Sequence, residues 1–144
     1  MTQVGEPVGQ ITADDYVSIE DSNGVAPTNI IRVGDPFTVW IDFDLAGALN
    51  GLLVGILRYS VRYWVNGLGS PAPANPIPSR VESTTHGQLG YRRADTERTV
   101  PANTLAAGVY QLGAIVTFRL NNNGNLLHYP LTVFTLPKII EIYA

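Results

Sequence analysis

Apolar and polar residues alternate along three long segments of this chain, residues 36–45, 57–66 and 109–120. In each segment nearly every second side chain is apolar, and the polar residues fall between these apolar ones. Successive side chains of a β-strand point to opposite faces. The pattern therefore predicts strands that pack one face on a core and leave the other in water, as antiparallel sheets commonly do.

Stretches rich in Gly, Pro and Asn separate these segments at short intervals, which is typical of β-sandwiches and barrels. Further strands are predicted over residues 15–21, 79–85, 93–101, 125–136 and 138–144. Between two strands, residues 45–57 fit either an apolar loop or one short helix near 48–56, because four apolar residues there follow helical spacing. The sequence thus predicts an all-β, antiparallel Greek-key β-sandwich of roughly seven to nine strands.

One motif supports the sandwich. Leu105, Gly108 and Tyr110, in LAAGVY, resemble the tyrosine corner of Greek-key sandwiches, in which a Tyr hydroxyl bonds to the backbone a few residues upstream. The chain is therefore similar to immunoglobulin-like and fibronectin-III-like domains at the level of the fold. It departs from true immunoglobulin domains because it has no Cys pair, and because Trp64 alternates in phase with polar residues rather than with the core.

Composition narrows the classes of function. The 144 residues are expected to form one domain, 1–144, and 45% hydrophobic residues allow a packed core. A net charge of −3 does not favour nucleic acid or an anionic membrane. Residues 45–57 are too short to span a bilayer, which takes ~20 residues. The N-terminus does not resemble a signal peptide, so the cytoplasm is the default expectation.

Catalytic and metal signatures are weak. The chain has no Cys and two His, His86 and His128, and it lacks the Gly-x-Ser-x-Gly turn that would hold a nucleophilic serine. A calcium site would have to use carboxylates, and these cluster at Asp14, Asp15, Glu20, Asp21, Asp42 and Asp44. They are more simply explained as solubilising groups on an exposed face. We predict no enzyme, metal or cofactor. An enzyme that uses Asp42 and Asp44 with a metal or His128 is the least favoured reading.

Binding features are stronger. Trp40 and Trp64 fall on the polar phase of their strands, where they either meet a partner or lie under neighbouring groups. Only 15% of residues are charged, against about 25% in typical domains. We predict a non-enzymatic assembly module that binds protein, most simply itself; the alternative is a sandwich that binds carbohydrate or another small ligand. The predicted contact residues are Trp40, Trp64, Arg58, Arg62, Leu49, Leu52, Leu53, Ile140, Ile142 and Tyr143, the last three on a C-terminal strand expected to form an open sheet edge.

Overall fold

The fold is all-β, with 55% of residues in strands and 6% in helices. The computed structural model describes residues 2–4, 10–24, 28–69, 71–74 and 76–144. Their elements, in chain order, are β1 (Thr2–Val4), β2 (Gln10–Ala13), β3 (Ser18–Asp21), β4 (Ile30–Arg32), β5 (Phe37–Trp40), β6 (Phe43–Ala46), α1 (Ala48–Leu53), β7 (Leu57–Leu68), β8 (Arg80–Ser83), β9 (Gly90–Tyr91), α2 (Arg93–Thr96), β10 (Arg98–Val100), β11 (Gly108–Asn122), β12 (Asn125–Phe134) and β13 (Lys138–Tyr143).

The strands of the described residues form three sheets. A six-stranded sheet has the order β4-β13-β11-β7-β8, with β12 also paired to β11. A four-stranded sheet has the order β1-β2-β6-β9, and a three-stranded sheet has the order β10-β5-β3. Buried side chains from all three sheets pack into one hydrophobic cluster. The molecule therefore has a common core, on which each sheet packs one face.

Two of the three alternating segments, residues 57–66 and 109–120, form long continuous strands as predicted. In β7 the side chains of Leu57, Val61 and Tyr63 are buried, while those of Arg58 and Arg62 between them are exposed. The same alternation continues in β11, which pairs with β7 along twelve residues from Val109 to Leu120. Together these two long strands form the centre of the six-stranded sheet.

The second edge of β11 is occupied by two strands that follow one another. Gly108 to Leu112 pair with β13, and Ile115 to Asn122 pair with β12. Between them the backbone N–H of Ala114 donates to the Thr135 hydroxyl at 3.0 Å, and the Thr135 N–H donates to the Ala114 carbonyl. The hairpin from β11 to β12 closes through Asn123 and Gly124, both with positive φ, as the Asn-rich stretch there favours.

The strands are more numerous than predicted, and some of the predicted strands are interrupted. Residues 36–45 split into β5 and β6 because Ile41 pairs with a side chain instead of a strand. Its N–H donates to the Thr96 hydroxyl at 3.2 Å, and that hydroxyl donates to the Ile41 carbonyl at 2.6 Å. Thr96 ends α2, so the strand predicted over 93–101 is wrong in its first half. Hydroxyls of Tyr59 and Tyr63 also donate to carbonyls of α2, which fixes this short helix over the core.

The prediction of a purely antiparallel sheet is wrong at one pair, because β13 pairs with β4 in parallel, Glu141 to Tyr143 against Ile30 to Arg32. The expected open C-terminal edge is therefore closed along those residues. Ile140 and Ile142 belong to the core, at 1% and 3% exposure. They are consequently not available as contact residues in this structure, whereas Tyr143 is exposed.

The short helix near 48–56 is confirmed as α1, and it is joined to the core through Asn50. The buried Asn50 side chain donates to the carbonyls of Gln10 and Ala46 and accepts from the Tyr129 hydroxyl at 2.7 Å. Polar groups in a core require such partners, because an unmade hydrogen bond there costs about 1–3 kcal/mol. Asn50 thus links α1 to β2, β6 and β12.

Candidate functional site

The outer face is the surface of the six-stranded sheet whose side chains point away from the core. It carries exposed apolar side chains at Leu68, Val81, Val109, Leu126, Phe134 and Ile139. Phe134 is the most exposed of them, at 57%. A sheet face that only meets water is normally polar, so this outward face is unusually apolar.

Strand register places most of these residues side by side. Along β11, Val109 lies opposite Leu68, Gln111 opposite Ile139, Gly113 opposite Trp64, and Ile115 opposite Phe134. Residues directly opposite one another on neighbouring strands have Cβ atoms about 5 Å apart. They therefore form one continuous patch, called here the apolar half of the outer face: Leu68, Val109, Ile139, Trp64, Ile115 and Phe134.

The indole of Trp64 covers Gly113 in this patch. A Cβ atom placed on Gly113 would come within 2.3 Å of its Cζ2 and 2.6 Å of its Nε1. The indole therefore rests on the glycine backbone of the opposite strand, and Trp64 is half-buried although it points away from the core. Glycine at position 113 allows this close approach, which is a known use of Gly in strands.

Trp40 belongs to a different sheet and does not join Trp64. The guanidinium of Arg93 lies 4.3 Å from the centre of the Trp40 ring, in cation–π geometry. Arg93 in turn pairs with Glu20 at 2.7 Å and with Glu97 at 2.8 Å. Trp40 is thus half-buried under an ion-pair network, and the two tryptophans do not form one site.

The other end of the outer face is cationic. Arg58 lies opposite Arg119, and Arg119 lies opposite His128, so three basic residues stand in one row across three strands. The next row holds the hydroxyls of Ser60 and Thr117. The two arginines and two hydroxyls line a depression of about 410 Å³, rimmed by Val81 and Leu126. Arg62 stands two residues beyond Ser60 on β7, opposite Ile115 at the margin of the apolar half.

The remaining predicted contact residues are scattered. Leu52 on α1 is 78% exposed, whereas Leu53 packs partly against the core. The side chain of Leu49 lies outside the described residues. Of the predicted corner, Leu105 is buried, Gly108 begins β11, and the Tyr110 hydroxyl donates to the Ala106 carbonyl at 2.7 Å.

Two of the carboxylates considered for calcium or catalysis, those of Asp44 and Asp14, have identified partners. Asp44 pairs with Arg92 at 2.9 Å, and the N–H of Asp42 donates to the Asp14 carboxylate. The pKa of Asp42 is raised, mainly because burial disfavours its charged form and then because of the Asp14 charge. Among the described residues, no three His, Cys, Asp or Glu side chains are placed to hold a metal ion. His86 and His128 are both exposed.

Several residues of this surface were not found from the sequence. The strand register is needed to show that four residues belong to this surface: Gly113, Phe134, Ile139 and Arg119. The sequence did hold a signal for Phe134, because this large aromatic residue falls on the exposed phase of β12, one position after the buried Val133. The pairing of Arg119 with Arg58 depends on register, which a single sequence does not supply.

No protein-family model, curated protein or solved structure matches this chain. In the described residues the longer helix has six residues, and none is long and apolar enough to cross a membrane.

Proposed function

We propose that this protein is a non-enzymatic assembly module that binds a second copy of itself through the apolar half of its outer face. The observation that carries this proposal is the exposure of Phe134 and its neighbours in consecutive cross-strand rows. Burying such a patch releases about 25 cal/mol per Å² of apolar surface, and that gain drives most protein association.

The charges that flank the patch favour a second copy as the partner. Arg62 stands at one end of the patch on β7, and Glu141 stands at the other end on β13. Both are exposed, and no ion pair joins either to another described residue. A two-fold axis in the interface, midway between them, would set each Arg62 opposite the Glu141 of the other copy. Symmetric dimers require such self-complementary surfaces.

We also infer that the layers form an immunoglobulin-like Greek-key sandwich. The chain supports this by passing back and forth between sheets: β5 lies in the three-stranded sheet, β7 in the six-stranded sheet, β10 beside β5 again, and β11 beside β7. The hydrogen bond from Tyr110 to Ala106 also has the form expected of a tyrosine corner.

Self-association is tested by light scattering coupled to size exclusion over a range of concentrations. We expect a dimer for the wild-type chain and a monomer for Phe134→Glu and Ile139→Glu. Leu127→Glu is the matched control, because Leu127 is exposed on the same strand as Phe134 but in the opposite phase. Leu52→Glu tests the contact predicted on α1. A monomeric wild type, or equal disruption by Leu127→Glu, would contradict the proposal.

The charge pairing has its own test. Arg62→Glu places two acidic groups in apposition and is expected to weaken the dimer, as is Glu141→Arg with two basic groups. The double variant restores opposite charges and is expected to restore the dimer. If the double variant dissociates at least as readily as each single variant, the two-fold arrangement is wrong. That result would leave open association through the apolar patch in another arrangement.

Carbohydrate binding is the second candidate. Trp64 and Arg62 line a depression of about 310 Å³ together with Pro76, which offers one indole face and a guanidinium to a sugar ring. Aromatic faces of this kind commonly stack on apolar ligand surfaces. Quenching of tryptophan fluorescence by members of a glycan panel, lost in Trp64→Leu and kept in Trp40→Leu, would support this function over self-association.

A further inference from the structure

We propose that the depression at the cationic end of the outer face binds a tetrahedral oxyanion carrying two negative charges, that is, a phosphate group or a phosphate monoester. Its lining includes Arg58, Arg119, Ser60 and Thr117, with Val81 and Leu126 at the rim, and none of its lining residues is acidic. This site lies outside the apolar half of the face, so it does not depend on self-association.

The first argument is the unfavourable pairing of like charges. Arg58 and Arg119 are directly opposite one another on β7 and β11, and both side chains are exposed. Like charges at opposed positions of a sheet destabilise it. Neither arginine makes an ion pair with another described residue, although acidic residues outnumber basic ones in the chain. A bound anion would remove this repulsion.

The second argument is the chemistry of the lining. Arginine offers a planar fork of N–H donors that binds phosphate oxygens in pairs, and such charge-assisted bonds are the strong ones. The hydroxyls of Ser60 and Thr117, one row farther along the same strands, can donate to the remaining oxygens. Two forks and two hydroxyls suit four oxygens around one centre better than the two oxygens of a carboxylate.

The third argument is the charge of the residues around the site and the space beside it. His128 lies opposite Arg119 on the far side from Arg58, which extends the row of basic groups across β12. The nearest described acidic residue on the neighbouring strand, Glu82, is held by Arg80 at 3.0 Å. The depression is open and about 410 Å³ in volume, so a small polar group attached to the phosphate fits beside it.

The test is a titration of the ¹⁵N-labelled protein, followed by amide shifts, at low ionic strength because salt screens exposed charges. The probes are inorganic phosphate, phosphoserine and glucose 6-phosphate, and sodium chloride at matched ionic strength is the blank. We expect saturable shifts centred on residues 58–60 and 117–119. Arg58→Gln and Arg119→Gln should each weaken binding about tenfold, the equivalent of one lost charged hydrogen bond. A tighter fit for one of the two esters would show which source of phosphate is preferred.

Arg32→Gln is the matched control, because Arg32 is also an exposed arginine on a strand of this sheet. It should leave phosphate binding unchanged. In the absence of phosphate, Arg58→Gln and Arg119→Gln should melt at or above the wild-type temperature, since each relieves the repulsion. Shifts reproduced by chloride, equal weakening by Arg32→Gln, or lower melting temperatures of both variants without phosphate would overturn the proposal.

Discussion

Gly113→Ala is the change whose consequence the structure defines most closely. A Cβ at this position would lie 2.3 Å from Cζ2, 2.4 Å from Cε2 and 2.6 Å from Nε1 of Trp64. Carbon atoms in contact prefer a separation of about 3.5–4.0 Å. The indole would therefore have to rise by more than about 1 Å from the sheet, or the β7–β11 pairing would have to distort.

The expected cost follows from two opposing effects. Adding a methyl group to a well-packed site usually costs about 1–3 kcal/mol, and the closeness of this contact places it near the upper end. Replacing glycine also restricts the unfolded chain, which stabilises the protein by about 0.4–1 kcal/mol where the backbone allows it. The difference is a loss of about 2 kcal/mol in the free energy of unfolding.

Urea denaturation measures this loss, and tryptophan emission reports its cause. We expect a lower midpoint with an unchanged denaturant slope, and a red shift in emission because Trp64 moves into water. Gly34→Ala is the control, since a Cβ there meets nothing within 4 Å and its φ is not in the left-handed region. That variant should be as stable as the wild type or slightly more stable.

A double-mutant cycle decides whether the indole is responsible. In the Trp64→Ala background the space above Gly113 is free, so Gly113→Ala should be neutral or stabilising. The interaction energy between the two positions should thus be about 2 kcal/mol, within the range found for residues in contact. Equal destabilisation in both backgrounds would refute the reasoning and would place the strain in the backbone of β11.

Two further predictions concern the core edge and the carboxylates. Tyr110→Phe removes the hydrogen bond to Ala106 and should lower the free energy of unfolding by about 1 kcal/mol in urea melts; no loss would deny that bond a role in stability. The raised pKa of Asp42 means that its ionisation opposes folding as pH rises through and above its ordinary value of 3.8, so Asp42→Asn should stabilise the protein near pH 7 and not near pH 3. Glu20→Gln should destabilise the protein near pH 7 more than near pH 3, because the bond from Arg93 lowers the pKa of Glu20 and stabilises the fold only while Glu20 is charged. Urea midpoints that shift in the same direction near pH 7 for both variants would contradict this assignment.

The long strands were predictable because their alternation records burial directly. In β7 and β11 every buried side chain needs an apolar residue, and twelve paired positions repeat that requirement. Strands of two to four residues, such as β4 and β9, are too short to display a period. The parallel pairing of β4 with β13 joins residues more than a hundred positions apart, so only the tertiary structure determines it.

The structure departs from the sequence pattern where a single polar side chain forms hydrogen bonds that the pattern does not indicate. The Thr96 hydroxyl satisfies Ile41 and interrupts a strand that alternates without a break in sequence. Asn50 is polar and wholly buried within the apolar segment, where its three hydrogen bonds take the place of apolar contact. Neither role has a local signature, because the partners lie 40 or more residues away for all but one of the bonds involved.

The candidate site was predictable only in part, for a reason that concerns sheets in general. Periodicity assigns Trp64, Arg58 and Arg62 to the outward phase, but it does not say which residues stand beside them. Register supplies those neighbours: Gly113 under the indole and Arg119 opposite Arg58. The glycine beneath the indole is explained by packing within the sheet itself. Two arginines in apposition have no such explanation, because like charges at opposed positions destabilise a sheet, and the anion that we propose at that end would remove their repulsion.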